Sequence, residues 1–292
     1  MKSERAPPGF DWSDLGRIAP TSLVGARYLA HFAVQWATKA ARANLAAATD
    51  DSHSSLAWDE RIGALVSQPL PTRDGALTVG VRIDGLRLIA SVDGNAPNEF
   101  ALGAQTDSAA GAWVESVLRA SGLAPASTVS LPYTIASHPV ASGGVYDVRS
   151  EADALEELAR WFRAAGAALE DVRAALAGRT PGPTPVLCWP HHFDIATVVR
   201  LEDGDSAQAR AVGIGVSPGD EFYSQPYAYI SPSPPPPAMD LPSLPQPGRW
   251  HTRGFVGVVV TGEEILRLPG RRQAFHTCLL ETFGICRALL GA

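Results

Sequence analysis

The side chains most able to do chemistry crowd into residues 185–200 and 211–230. These stretches hold the adjacent pair His191-His192, the acids Asp194, Asp220 and Glu221, and the tyrosines Tyr223, Tyr227 and Tyr229. Residues 190–200 read as one β-strand. Side chains alternate along a strand, so His192, Asp194 and Ala196 face one way while His191, Phe193 and Ile195 face the other. His192 and Asp194 then stand about 6.5–7 Å apart, twice the strand rise. That is half of a two-histidine, one-carboxylate site for a divalent metal such as iron, zinc or manganese. His251 is the first candidate for the missing imidazole and His276 the second. Asp220 or Glu221, in the Pro-Gly turn, offers a further carboxylate.

Two other readings need no metal. Asp194 or Asp220, with His191 close by, can act as a general base once a dry aromatic cleft raises its pKa. Otherwise the stretch simply binds a small molecule. Val212, Ile214 and Val216 then face the core, and Gly213 and Gly215 leave backbone open to a ligand. Tyr227 and Tyr229, on one face of the next strand, wall the cleft with Tyr223 and Trp189. A structural alternative stands beside each reading. His192 donates to a backbone carbonyl, Asp194 holds a loop, and the tyrosines fill the space above the glycines.

Three tempting motifs fail on physical grounds. Gly215-Val216-Ser217-Pro218-Gly219 spells a nucleophile elbow, but the residue after that serine must donate its N–H to an oxyanion. Here it is proline, which has none. Gly213-x-Gly215 has its third glycine misplaced for a dinucleotide site, and no helix follows. Cys188 sits in an apolar strand and reads as a buried, inert thiol.

The positioning elements follow from periodicity. Residues 1–20 form an irregular arm. A helix capped by Thr21 or Ser22 runs to about Leu45, with Leu23, Tyr28, Leu29, Phe32 and Trp36 on its inner side. Tyr28, His31 and Phe32 either reach a pocket or pack in the core, and large apolar groups prefer the core. Residues 48–55 form a loop and 64–70 a short strand. Residues 77–83 and 86–92 alternate around Asp84-Gly85, a hairpin signal. A strand at 98–102 and a helix starting at Thr106 or Asp107 complete the first half. The loop-rich stretch 123–149 leads to a second long helix, which begins at Ser150 with Asp153 placed as in a capping box. Its inward stripe is Leu155, Leu158, Phe162, Ala165, Leu169, Val172 and Leu176. Strands follow, then the proline-dense 231–249, read as a surface connector with a PxxP ligand as the other reading. A strand at 250–260, a short helix capped by Thr261 and Glu264, and a helix over 271–290 close the chain.

The order of helix, strands and helix occurs twice. It predicts an α+β fold with a mainly antiparallel sheet, in one domain over 21–292. The halves 21–149 and 150–292 read as a degenerate internal repeat. Net charge is −6 over 292 residues and no basic cluster appears, which argues against nucleic acid. No apolar run reaches the roughly 20 residues of a membrane span, and the N-terminus lacks a signal-peptide core. Three cysteines at no zinc-ligand spacing fit a reducing cytoplasm. A homo-oligomer is compatible with all of this.

One resemblance attaches to these residues. The long helix, the strand Trp189-Pro-His-His-Phe-Asp-Ile-Ala196, the turn Gly215-x-x-Pro-Gly-Asp-Glu and the strand Tyr227-x-Tyr229 resemble a bacterial domain family of unknown function, from about Ala64 to Pro234. Members carry Gly-Ser where this chain has His191-His192, and keep the Phe-Asp that follows. The resemblance implies that Asp194 belongs to a shared framework and that the histidines are particular to this chain. The sequence thus points to a protein with a His/Asp/Tyr-lined cleft. It is either a metal-dependent enzyme acting on a small molecule or a non-catalytic ligand-binding or interaction domain.

Overall fold

The computed structural model describes residues 10–203 and 209–292. Among them, three long helices carry the packing: α1 (Val24–Asn44), α3 (Ala152–Leu176) and α5 (Arg271–Leu289). Two shorter ones are α2 (Asp107–Ala120) and α4 (Gly262–Leu266). The first half contributes strands β1 (Leu56–Asp59), β2 (Ala64–Ser67), β3 (Leu70–Thr72), β4 (Gly75–Arg82), β5 (Arg87–Val92) and β6 (Asn98–Ala101). The second contributes β7 (Gly182–Pro183), β8 (Leu187–Trp189), β9 (Asp194–Arg200), β10 (Ala211–Ser217), β11 (Tyr227–Ser233), β12 (Arg249–His251) and β13 (Gly257–Thr261).

All these strands join one antiparallel sheet in the order β12-β13-β11-β10-β9-β8-β1-β2-β4-β5-β6, with β3 on β4 and β7 on β9. The fold is α+β, as the element pattern requires. The halves meet where their first full strands pair, Leu56 opposite Cys188. Each half runs outward from that seam in the same sequence of hairpins.

Register makes the correspondence specific. The β1–β2 hairpin closes through 60–63, between the pair Asp59 and Ala64, and Gly63 has φ +62°. The β8–β9 hairpin closes through 190–193, between the pair Trp189 and Asp194, and Phe193 has φ +58°. Two residues beyond each turn, Val66 pairs with Gly80 and Ala196 pairs with Gly215. Gly80 then pairs with Ile89, and Gly215 with Tyr229. The positional counterparts of Asp194 and Tyr229 are therefore Ala64 and Ile89.

Helices α1, α3 and α5 pack on one face of the sheet. That face draws Val212, Ile214 and Val216 into the core, as the alternation predicts, and with them Ala228, Ile230, Val258 and Val260. The inward stripe read for α3 is buried throughout, and α5 buries Phe275, Cys278, Leu279, Thr282 and Cys286. Gly213, Gly215, Ser217, Tyr227, Tyr229 and Val259 point to the opposite face.

The structure departs from the sequence reading in several places. Residues 190–200 are not one strand: 190–193 form the turn just described and β9 begins at Asp194. The run 250–260 breaks into β12 and β13, and 64–70 into β2 and β3, while β1 forms from four residues that hold no alternation to predict it. Helix α1 buries an alanine-rich stripe of Ala26, Leu29, Ala30, Ala33, Val34 and Ala37, and leaves Tyr28, Phe32 and Trp36 half-buried at its flank. Small residues let the helix sit close to the sheet. Helix α3 starts at Ala152 with Glu151 as its cap and no side-chain capping bond, so the Ser150–Asp153 box does not form. The arm expected over 1–20 sends Trp12 and Leu15 into the core, and residues 1–9 of it lie outside the described residues.

Candidate functional site

The turn 190–193 decides where the chemistry goes. Phe193 takes a left-handed backbone conformation, uncommon for a bulky residue. Its ring is buried, stacked on His31 at 5.2 Å and tilted against Phe162 at 4.9 Å. The Pro190 carbonyl accepts from His31 Nε2 at 2.8 Å and from Gln35 Nε2 at 2.9 Å, and Tyr133 donates to Gln35 Oε1 at 2.7 Å. The carbonyl can only accept, so Nε2 of His31 carries the proton. Burial, then the nearby Arg27 and the two histidines of the turn, push the His31 pKa down to about 4. His31 holds the turn in place; Gln35 and Tyr133, which no local pattern singled out, share the task.

Within the turn, His192 is exposed and His191 half-buried, their rings 4.3 Å apart. Burial and His192 hold the His191 pKa at about 4. Asp194, the first residue of β9, is only 7% exposed. Its Oδ2 accepts from the Tyr229 hydroxyl, while its Oδ1 is buried with no hydrogen-bond partner. A buried carboxyl so placed is costly in its charged form. Burial raises the Asp194 pKa and the charge of Asp220 adds to it, against opposing pulls from Tyr229 and His192. Burial beside that acid pushes the Tyr229 hydroxyl well up as well.

The other two tyrosines have partners of their own. Tyr227 donates to Asp220 Oδ2 at 2.5 Å, and Asp220 Oδ1 accepts the backbone N–H groups of Phe222 and Tyr223 at 2.8 and 2.9 Å. Both oxygens of Asp220 are thus committed to shaping its own loop. Tyr223 shares a hydrogen bond of 3.0 Å with His251 Nδ1, and His251 Nε2 meets the carbonyl of Arg253. Because that carbonyl accepts, Nε2 bears the proton and Nδ1 takes the Tyr223 hydroxyl. The three rings stand in a row, 4.8 Å from Tyr223 to Tyr227 and 6.3 Å from Tyr227 to Tyr229.

This arrangement corrects the metal-ligand set drawn from the sequence. Among the described residues no three His, Cys, Asp or Glu side chains gather in a way that could hold a metal ion. His192 lies in the turn and not on the strand, so alternation does not align it with Asp194. His251 is buried between Phe255 and Phe222, with both ring nitrogens engaged. His276 is on α5, on the other side of the sheet from Asp194. Glu221 is exposed in the loop beside Asp220. Trp189 pairs with Asp194 across the hairpin and shares its face. A Cβ on Gly215 would lie 2.5 Å from the Tyr229 ring, so that ring occupies the space the glycine leaves; at Gly213 the neighbour is Ser231 Oγ at 3.2 Å. Cys188 is fully buried, and burial with Asp194 raises its thiol pKa well above the ordinary value.

The site is therefore a carboxyl–phenol pair, Asp194 with Tyr229, on the sheet face opposite α3 and α5. It can accept a hydrogen bond at Oδ1 or hold a proton there. No helix among the described residues is long and apolar enough to cross a membrane. Comparisons with protein-family models, with curated proteins and with solved structures find no match.

Proposed function

We propose that this chain is a small-molecule-binding protein whose site is built around Asp194 and Tyr229. One observation carries the reading. Asp194 holds an enclosed carboxyl oxygen with no partner, at a register position where the other half of the sheet has alanine. Nearly all buried polar groups find a partner, and an exception calls for an explanation. Here the same backbone frame tolerates Ala64, fully buried, so the fold does not demand a carboxylate. A ligand donor reaching Oδ1 as Tyr229 swings aside gives that carboxylate a purpose. The likeness of the halves supports the reading further, for we take them as a degenerate duplication with polar groups placed in one copy.

A thermal-shift screen of small polar metabolites tests the proposal. Compounds that stabilise the wild type and leave Asp194→Asn unmoved support it. A screen in which every stabilising compound acts equally on both proteins overturns it. A second reading, acid–base catalysis by Asp194, draws on the upward shift of its pKa, since an acid that holds its proton more tightly than an ordinary carboxyl is better suited to transfer it. Turnover of a screened ligand, abolished in Asp194→Asn, separates catalysis from binding.

A further inference from the structure

A second feature of the same sheet face lies outside the Asp194 site. At the seam between the halves a groove of about 730 Å³ opens, within the size range of small-molecule sites. Its lining includes Leu187 and Trp189 from β8. It also includes Asp50 and His53 from the connection after α1, Gln68 beyond β2, and Arg200 at the end of β9. Both halves contribute, so the groove exists only where they join.

The chemistry of the lining selects a ligand class. Asp50 and Arg200 approach to 3.8 Å, and their opposite charges offset each other. The backbone N–H of Ala48 donates to His53 Nδ1 at 3.1 Å. A ring nitrogen that accepts is not available to donate, so Nε2 is the His53 atom that faces a ligand as donor. Among the described lining residues the acid Asp50 and the base Arg200 thus balance, with no surplus of either sign to select a phosphate or an ammonium. Trp189 adds a broad half-buried ring, an amphipathic surface suited to a flat apolar ligand face. Gln68 brings a carboxamide that both donates and accepts. Planar polar groups around an aromatic platform suit a molecule with hydroxyls at its edge and C–H groups on its face.

We propose that this groove binds a neutral polyhydroxylated small molecule, a mono- or disaccharide, with one sugar ring face on Trp189 and its hydroxyls on His53 Nε2, Gln68 and Asp50. The proposal is independent of the Asp194 reading, because His53 and Gln68 lie outside that site and only Trp189 borders both. Saturation-transfer NMR with the full chain is the test. The probes are glucose, galactose, maltose and sucrose, set against adenosine and glucose 6-phosphate, all at millimolar concentration. The expected result is transfer to at least one neutral sugar with little to glucose 6-phosphate. The Kd should rise about tenfold or more in Gln68→Ala and in His53→Ala, about 1.4 kcal/mol each. Both residues are partly exposed, so these variants should fold, which circular dichroism checks. Absence of transfer to every neutral sugar overturns the proposal. So does a preference for adenosine or for the phosphate, and so does sugar binding that both variants leave intact.

Discussion

Replacing Asp194 with asparagine should stabilise the protein near neutral pH and do nothing of the kind in acid. Folding raises the pKa of this carboxyl, first through burial and then through the charge of Asp220. An acid whose pKa is raised on folding binds its proton more tightly in the folded state. The stability it lends is complete below the unfolded value of about 3.9 and is lost as pH rises through the folded one. Above that, the wild type carries an ionised oxygen, Oδ1, in the interior with no partner. A buried group left unsatisfied costs about 1–3 kcal/mol, more when charged. Asparagine keeps an oxygen for the Tyr229 hydroxyl and removes the charge, leaving only a neutral group to shelter. Taking about 2 kcal/mol, and about 2 °C per kcal/mol for a chain this long, Asp194→Asn should raise Tm by about 4 °C at pH 8. The gain should shrink towards zero as pH falls to the unfolded value of about 3.9 and below, where the raised pKa no longer costs stability. Calorimetry of both proteins across that range reads the difference directly. A Tm difference that is flat with pH, or a variant less stable at pH 8, would refute the claim that Asp194 is a strained, function-bearing acid.

Two further expectations follow from the turn and the glycine. His31 is a base whose pKa falls to about 4 on folding, so its contribution is complete above about pH 6.5 and is lost as pH drops towards 4. That is about 3 kcal/mol of acid sensitivity, and His31→Gln, which keeps a donor for the Pro190 carbonyl, should flatten the fall in Tm between those pH values. At Gly215 an added Cβ would meet the Tyr229 ring at 2.5 Å, so Gly215→Ala must displace that ring from Asp194. Overpacking of this kind costs about 1–3 kcal/mol, and a Tm within a degree of wild type would show that the ring is not held there.

Much of the frame was legible because it rests on short-range physics. Alternation gave the inward face of β10, turned Gly213 and Gly215 away from it, and put Tyr227 and Tyr229 on one face of β11. The 3.6-residue period gave the buried line from Leu155 to Leu176 on α3, though not Glu157 and Trp161, which are buried beside it. Asp194, Asp220 and the tyrosines stood out because reactive groups are few in so apolar a stretch. The failures share a cause. Nothing local in Pro-His-His-Phe says that Phe193 will turn left-handed, because its ring is drawn inward by His31 and Phe162, which lie 162 and 31 residues away by number. Once that turn forms, alternation no longer ties His192 to Asp194, and the metal set assembled from spacing comes apart.

The sequence by itself determined which side chains face the helices and which face away, since the pleat and the helical turn are properties of neighbouring residues. It also supplied every group of the carboxyl–phenol pair. Only the tertiary structure decided their partners: Tyr229 across Gly215 to Asp194, Tyr227 to Asp220, His251 to Tyr223 and the Arg253 carbonyl. Pairing depends on strand register and on the curve of one loop, which distant packing sets. Burial belongs to the same level, for an acid becomes a strained acid only when other elements close over it and leave one oxygen unmet.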